Sequence, residues 1–359
     1  MLTLALAAAG CGRFGFDPAA PPGNDAGGDG AGGDGAGGNG AGGNGAGGDG
    51  AGGDGAGGDG CGTLAPTCGP TGTSPCCESP VVGGGSFYRS YDTADGVYPD
   101  MTNAATVSTF RFDKYEVTVG RFRQFVAAGR GTQANPPVVG AGAHANIPGS
   151  GWDPSWNSSL AADTPTLVAA IKCQATYQTW TDAPGGNESR PMNCIDWYEA
   201  MAFCAWDGGY LPSEAEWNYA ASGGSLQRAY PWSSPATSLS IDDTRASYYV
   251  DATKQCFGDG VDGCALTDFV PVGSKPAGDG LWGQSDLGGN VWEFVLDWYA
   301  APYPMKTCND CANLTPGTHR VFRGGGFSID ASFLRASDRS FVLASDRSDS
   351  FGVRCARTP

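Results

Sequence analysis

The sequence predicts an α+β domain with short elements, little regular secondary structure and several disulfides. Alternating apolar and polar residues predict a strand at Phe110–Thr118, and aromatic-rich pieces after Gly280 predict short strands and loops. Thirteen cysteines in 359 residues indicate a disulfide-rich chain. With about 270 residues of mixed sequence behind a Gly-rich start, we expect one globular domain.

Local capping signals predict three helices. The first follows Thr118 and carries its aromatic residues on one face. The second spans Trp197–Trp206 after the capping residue Asp196, and the third runs from the capping box Ser213-Glu-Ala-Glu216 to Gly223.

Composition excludes two broad classes of function. Only 16% of residues are charged and the formal net charge is −16, so the chain lacks the basic surface that a nucleic-acid partner requires. It also lacks an apolar stretch long enough for a membrane-spanning helix.

The N-terminus predicts export and lipid anchoring. Residues 1–11 contain a short apolar run that ends in Ala8-Ala-Gly-Cys11, which is typical of a lipoprotein signal remnant with a lipobox. Cys11 is then the lipidated residue, the membrane is a partner through that anchor, and the protein resides at the bacterial cell envelope, on the outer membrane or cell surface. The alternative is an ordinary buried cysteine.

The cysteine count supports an oxidising compartment, because setting Cys11 aside leaves an even number. Proximity predicts the local disulfides Cys173–Cys194, Cys256–Cys264 and Cys308–Cys311. Zinc is the competing interpretation of the last pair, but no second C-x-x-C or histidine pair follows at ligand spacing.

The chain divides into segments by composition. Residues 12–60 form a flexible tether that includes seven copies of Ala-Gly-Gly-(Asp/Asn)-Gly. A calcium-binding β-helix is the alternative for this repeat, but it needs an apolar residue in every copy. Residues 61–80 form a Cys-rich knot, for which two disulfides are the simplest use, and residues 81–359 form the globular domain.

Catalytic signatures are scarce. The chain has two histidines, His144 and His319, far apart in sequence and without a ligand pattern beside them. The segment Gly283-Gln-Ser-Asp lacks the closing glycine of a nucleophile elbow, and no phosphate-binding Gly loop follows a strand.

Three blocks carry a family resemblance: 190–224 (RPMNCIDWYEAMAFCAWDGGYLPSEAEWNYAASGG), 280–299 (GLWGQSDLGGNVWEFVLDWY) and 320–357, which begins RVFRGGGF and ends FGVRCAR. Their order and spacing resemble the formylglycine-generating enzyme (sulfatase-modifying factor) family, over Val82–Arg357. The resemblance implies a variant of the C-type lectin fold. It also implies a disulfide between Cys204 and Cys355.

The family's chemistry requires two cysteines that bind copper(I) and activate oxygen to oxidise a cysteine in a sulfatase peptide. The resemblance places those positions on Ile329 and Leu334, and a family serine on Gly326. Copper(I) needs soft thiolate ligands, so we expect no copper site. The His-x-x-x-His-x-Glu motif of the related iron-dependent sulfoxide synthases is absent.

The resemblance implies a structural calcium site at Asp286, Gly289, Val291 and Glu293. Carboxylates and backbone carbonyls are hard oxygen ligands, which suit calcium. The alternative is that the two carboxylates satisfy backbone amides.

A second family calcium site would use Asp262 and the carbonyl of Cys264, with Ser247 standing where an Asn is usual.

Five tryptophans could line a groove for a peptide or sugar, but they are more typical of a core; they are Trp197, Trp206, Trp217, Trp292 and Trp298. The Ser-Asp-Arg-Ser repeats at 337–340 and 345–348 are expected to be solvated loops with weak surface ion pairs.

Two hypotheses remain. The first is a surface lipoprotein whose domain binds a peptide or glycan or acts as a scaffold; the second is an oxygen-dependent oxidase that makes formylglycine on sulfatases. The missing cysteine pair favours the first.

Overall fold

The computed structural model describes residues 67–94 and 99–359, which lie within the unit that spans residues 54–359. The predicted lipobox with Cys11, the Gly-rich tether and the first part of the Cys-rich knot lie outside the described residues.

Four α-helices are short and begin at capped residues; their bounds are Val119–Ala127 (α1), Thr164–Ala170 (α2), Trp197–Trp206 (α3) and Glu214–Ala221 (α4). The three predicted caps are confirmed. The Asp196 carboxylate accepts from the Glu199 amide at 2.9 Å, and the Ser213 hydroxyl accepts from the Glu216 amide at 3.1 Å. The third predicted helix ends at Ala221, because Gly223 has a left-handed backbone, φ 64°.

The strands are mostly two to five residues long; in chain order they are Thr67–Cys68 (β1), Ser74–Pro75 (β2), Val81–Val82 (β3), Gly85–Tyr88 (β4), Ala104–Val107 (β5), Phe110–Phe112 (β6), Tyr249–Val250 (β7), Gln255–Cys256 (β8), Trp292–Trp298 (β9), Cys308–Asn309 (β10), His319–Arg323 (β11), Ser340–Leu343 (β12), Phe351–Gly352 (β13) and Ala356–Arg357 (β14). Short 3-10 turns lie between them, including Ala331–Leu334.

The largest sheet has the order β12-β11-β9-β13, in which β13 is parallel to β9 and the other pairs are antiparallel. A bulge interrupts the β11–β9 register between Arg320 and Phe322. Two three-stranded sheets have the orders β14-β6-β3 and β10-β5-β4, and β1-β2 and β7-β8 are separate pairs. Strand β14 brings the C-terminal segment beside β6.

The predicted strand Phe110–Thr118 is wrong in length, because β6 ends at Phe112. Its next residue, Asp113, is fully buried and pairs with Arg121 at 2.9 Å and Arg357 at 3.3 Å. After β6 the segment keeps scattered backbone hydrogen bonds, such as the one from the Asp113 amide to the Cys355 carbonyl at 2.9 Å, without the regular pairing of a strand.

Aromatic residues fill the core, as expected for a domain with few long elements. Trp197, Trp217 and Trp292 are buried, whereas Trp206 and Trp298 are half-buried. The predicted core role of these tryptophans is confirmed, because all five pack in or against the apolar clusters.

The expectation of a solvated loop is wrong for the first Ser-Asp-Arg-Ser segment, which is buried at 337–340, whereas the second is half-buried with Ser345 exposed. Arg339 is buried and donates to Glu214 at 2.7 Å, and Arg347 donates to Asp196 at 2.9 Å and to Glu199 at 2.6 Å. Burial alone would raise the pKa of Glu214, but the guanidiniums of Arg339 and Arg323 outweigh it and lower that pKa to about 2. Arg339 therefore pairs with a carboxylate in the first turn of α4, and Arg347 pairs with the cap and the first turn of α3.

Five disulfides lie wholly within residues 67–94 and 99–359: Cys68–Cys76, Cys173–Cys194, Cys204–Cys355, Cys256–Cys264 and Cys308–Cys311. They include the three pairs predicted from proximity and the pair implied by the resemblance. Cys77 is bonded as well. The knot packs on the domain, because Cys68 and Cys76 share a buried cluster with Tyr115 and Val272. Among the helices of residues 67–94 and 99–359, none has the length and apolar character of a membrane span.

Candidate functional site

The segment after β11 holds the two positions to which the resemblance assigns the catalytic cysteines. Arg320 fixes this strand, because its guanidinium stacks between the rings of Trp197 and Trp298 at 3.4 and 3.6 Å. Burial lowers the pKa of Arg320 to about 9. The chain then turns through Gly324 and Gly325, which have φ angles of 101° and 74°.

Leu334 is fully buried at the end of the 3-10 turn that Asp330 caps. It belongs to an apolar cluster with Tyr230, Trp232, Ala246 and Tyr248. Position 334 is therefore a packed core position that offers no metal ligand.

Ile329 is half-buried and packs against the largest apolar cluster. Its backbone is fixed on both sides, because its amide donates to the Gly326 carbonyl at 3.0 Å and its carbonyl accepts from the Tyr249 amide at 2.9 Å. The frame around the family's redox positions is thus ordered, with aliphatic side chains in place of sulfur.

No thiol in the described residues replaces the missing pair. All eleven cysteines of residues 67–94 and 99–359 are disulfide-bonded. Disulfide sulfurs are not thiolate ligands, so copper(I) has no two-thiolate site in this part of the oxidised chain.

The two histidines also lie apart from any metal pattern. His144 is buried and its Nε2 lies 3.1 Å from the Glu216 carboxylate, while His319 contacts the Thr318 hydroxyl with Nδ1 at 2.7 Å. In the described residues, no group of three or more His, Cys, Asp or Glu side chains is arranged to hold a metal ion.

The predicted calcium loop contains an excess of buried negative charge. Burial raises the pKa of Asp286 to about 6, and burial together with the charges of Asp286 and Glu293 raises the pKa of Glu116 well above its usual range. The sequence analysis did not single out Glu116. This residue follows the end of β6 at Phe112, and the fold brings it beside the calcium loop. Its oxygens accept from the Asn290 side chain at 2.7 Å and the Val291 amide at 3.1 Å.

Donor chemistry fits calcium at Asp286, Gly289 and Val291. Beside them, the buried Asn290 Oδ1 has no hydrogen-bond partner in the part of the chain that the structure describes. Glu293 fits less well as a direct ligand. Both its oxygens accept from Arg354 at 2.6 to 2.8 Å, and one also accepts from the Trp217 indole at 2.7 Å. Glu293 therefore supplies charge to the loop while Arg354 holds its side chain.

The second predicted calcium site is not assembled around Asp262. That side chain is exposed, and the Cys264 carbonyl accepts from the Tyr177 hydroxyl at 3.1 Å. The buried Asp268 organises this loop instead, because it accepts from the amides of Gly258 at 2.9 Å and Ala265 at 2.8 Å.

A shallow cleft of about 410 Å³ lies between α1 and α2. Arg123 stacks over the Trp180 ring at 4.4 Å and donates to Glu188 at 2.7 Å, so the edge of the cleft combines a flat apolar surface with fixed charge. It is lined by Arg123, Val126, Ala127, Gly129, Thr164, Val168, Trp180, Asp182 and Pro184.

Comparison with known sequences places the chain among related proteins. The formylglycine-generating enzyme of Streptomyces coelicolor is 30% identical over 291 residues, which cover 76% of this chain and 85% of that one. The enzyme of the same name from Thermomonospora curvata is 28% identical over 303 residues, covering 78% and 93%. The hercynine oxygenase of Mycolicibacterium smegmatis is 26% identical over 301 residues, covering 77% and 60%.

Among solved structures, PvdO from Pseudomonas aeruginosa superposes with a TM-score of 0.52 at 22% identity, covering 79% of this chain and 94% of that one. This likeness shows a shared fold. The family model described as the sulfatase-modifying factor enzyme 1-like domain matches residues 66–359. The chain therefore belongs to the sulfatase-modifying factor enzyme 1-like family.

Proposed function

We propose that this protein is a binding or scaffolding member of its family that does not carry out copper-dependent oxidation of cysteine. The observation that carries the proposal is the pair Ile329 and Leu334 at the positions of the copper-binding cysteines, in an otherwise retained frame. Hydrocarbon side chains neither ligate copper(I) nor form mixed disulfides.

The buried state of Leu334 supports this proposal, because a nucleophile or ligand at that position would have to face a substrate. The formylglycine-generating oxidase is the alternative function, and it would require a sulfur pair from elsewhere. The bonded state of the described cysteines leaves none reduced for that role.

Copper(I) binding tests the proposal directly. The purified chain should fail to withdraw copper(I) from a chromophoric chelator, whereas the double variant Ile329→Cys/Leu334→Cys should compete for it. Stoichiometric copper(I) uptake by the wild-type chain would contradict the proposal. Melting curves of both proteins show whether the variant has kept its fold.

The ligand is proposed to be a peptide or a glycan, because the Arg-Val-x-x-Gly-Gly pattern beside the family's peptide groove is kept at residues 320–325. A screen of the purified domain on peptide and glycan arrays tests this. Saturable binding to one class supports the binding function, and the absence of binding on both arrays favours a scaffold.

Calcium is proposed as a structural cofactor at Asp286, Gly289 and Val291, with Glu293 adding negative charge. The excess of buried carboxylate over guanidinium in this loop supports the proposal. A bound divalent cation would compensate the charge and join the loop to β9.

Anchoring is proposed to occur through acylated Cys11, followed by the Gly-rich tether. The motif Ala8-Ala-Gly-Cys11 supports it. Mass spectrometry of the mature protein from its native host should find lipid on Cys11. A peptide that reads unmodified through residues 5–15 would end the idea.

A further inference from the structure

Cys308 and Cys311 form the shortest-range disulfide among the five described, with a sequence separation of three. Cys308 is half-buried, whereas Cys311 is only 8% exposed. Cys308 is therefore the more accessible residue of the pair to a thiolate from outside. This asymmetry is what thiol–disulfide exchange requires, since attack on one sulfur releases the other.

The buried sulfur lies beside a fixed positive charge. Arg89 Nη1 donates to Cys311 Sγ at 3.8 Å. Arg89 is 4% exposed, and its guanidinium is held by hydrogen bonds to the carbonyls of Asn103 and Met305 and by stacking at 4.4 Å on Tyr303. A neighbouring cation stabilises a thiolate, so Cys311 is a good leaving group.

The intervening carboxylate is occupied elsewhere. Asp310 accepts from the Ser108 amide and hydroxyl, each at 2.6 Å, and from the Asn146 side chain at 2.8 Å. Burial would raise the pKa of Asp310, but these hydrogen bonds outweigh it and lower that pKa, so Asp310 is an ionised carboxylate that is already bound to three donors.

We propose that Cys308–Cys311 is a thiol–disulfide exchange site whose substrates are cysteine thiols of extended polypeptides. The proposal goes beyond the binding function and is independent of it. Strand β10, which carries Cys308, is at the edge of its sheet, so an extended segment can approach it. The exposed flanking residues Thr307 and Asn309 leave access to Cys308 open.

The exchange transfers two electrons from the substrate to the Cys308–Cys311 disulfide, so this oxidation needs no further oxidant. A substrate thiolate attacks Cys308 Sγ, a substrate–Cys308 disulfide forms, and the Cys308–Cys311 bond breaks with its electron pair on Cys311. A second thiolate of the same substrate then attacks the substrate sulfur of the mixed disulfide, and Cys308 leaves as a thiolate. The substrate dithiol is oxidised to a disulfide, and this protein takes up the two electrons as a dithiol.

The first test uses the wild-type full chain and an internal control. The native protein is treated with a limiting amount of reduced glutathione. The cysteines that this exposes are alkylated and located by mass spectrometry. Cys308 and Cys311 should become alkylated at least about tenfold faster than Cys256 and Cys264. The control pair also has one buried residue, and both pairs pack in or against apolar clusters. Among the described residues, only Cys308–Cys311 of these two pairs accepts a guanidinium hydrogen bond on a sulfur. Equal rates for the two pairs would overturn the proposal.

The second test traps the intermediate. Cys311→Ser should form a stable glutathione adduct at Cys308 on treatment with oxidised glutathione, and Cys308→Ser should form its adduct at Cys311 at least about tenfold more slowly. The absence of a Cys308 adduct in folded Cys311→Ser, or equal adduct rates in the two variants, would overturn the proposal.

The arginine is tested separately. Arg89→Lys should keep most of the exchange rate, whereas Arg89→Met should lower it at least about tenfold, because only the first variant keeps a positive charge near Cys311. Circular dichroism identifies any variant that has lost its fold. An unchanged rate in folded Arg89→Met would exclude the proposed role of the charge.

Discussion

Leu334 lies against the backbone of Gly325, so closely that a Cβ added to Gly325 would be 2.4 Å from Leu334 Cδ1. The glycine turn after β11 and Leu334, to whose position the resemblance assigns a catalytic cysteine, therefore fit each other. Because Leu334 also packs on Tyr230 and Trp232, the space beside the turn is filled by hydrocarbon. This packing is the structural basis for proposing a member of the family without its copper centre.

Loss of the long-range disulfide should destabilise the domain strongly. Cys204 and Cys355 are buried and 151 residues apart, so the chain-entropy model predicts a loss of about 5 kcal/mol in the free energy of unfolding for Cys204→Ser. Denaturant unfolding measures this. Cys173→Ser opens a bond across 21 residues and should cost about 3 kcal/mol. A smaller loss for Cys204→Ser than for Cys173→Ser would contradict the prediction.

Removal of the buried guanidinium at position 354 should be similarly costly. Arg354 and Glu293 are both fully buried and lie 2.6 Å apart, so Arg354→Met leaves an unpaired carboxylate and should lower the free energy of unfolding by about 3–5 kcal/mol. Lys254→Met breaks an exposed pair with Asp251 and should cost less than about 1 kcal/mol. Comparable losses in the two variants would show that the buried Arg354–Glu293 pair matters no more to stability than the exposed pair, which would contradict the prediction.

Stability should depend on pH through His144. Burial lowers the pKa of His144, but its hydrogen bond to Glu216 and the charges of Glu216 and Asp310 outweigh burial, so the pKa lies above 6.5. A raised folded-state pKa means that the stabilisation is fully present below the unfolded pKa and is lost as pH rises through the folded one.

The measurement compares wild type with His144→Gln by denaturant unfolding at about pH 5.5 and about pH 9. Wild type should exceed the variant by about 1–3 kcal/mol at the lower pH, and the difference should shrink at the higher pH. Tyr210, which contacts the His144 ring edge-on at 4.8 Å, is unchanged in both proteins. A difference that grows with pH would contradict the predicted sign.

Calcium should raise the melting temperature of the wild-type domain in a concentration-dependent manner, because an ion that binds only the folded state stabilises it by mass action. Asp286→Asn removes a ligand charge and should abolish the rise. Asp262→Asn is the matched control and should keep it, since Asp262 is exposed and lies in a loop that Asp268 organises. Identical melting curves of wild type in calcium and in chelator would exclude a structural calcium ion.

Local signals made the helices predictable. Helices α3 and α4 begin at Asp196 and Ser213, and each of these capping residues is followed three positions later by a glutamate that completes a capping box. The first turn of each helix therefore forms without a distant partner. Helix α2 was missed although Asp163-Thr-Pro carries the same kind of signal, an acidic cap followed by proline in the first turn.

Tertiary charge pairing was not predictable in the same way. The sequence does not show that Arg339 and Arg347 pair with buried carboxylates, because their partners Glu214 and Glu199 lie more than a hundred residues away. The same applies to Glu116, whose burial beside Asp286 depends on the fold. Ile329 and Leu334 could be singled out because the motif around them is retained, so their positions followed from the sequence alone.

Conversion of a substrate cysteine tests the central claim most directly. The protein is reconstituted with copper(I), oxygen and a Cys-x-Pro-x-Arg peptide, and mass spectrometry follows the change from cysteine to the aldehyde. The account predicts no turnover above a control without protein, together with an intact melting transition. Clear turnover by the wild-type chain would contradict the account and restore the oxidase function.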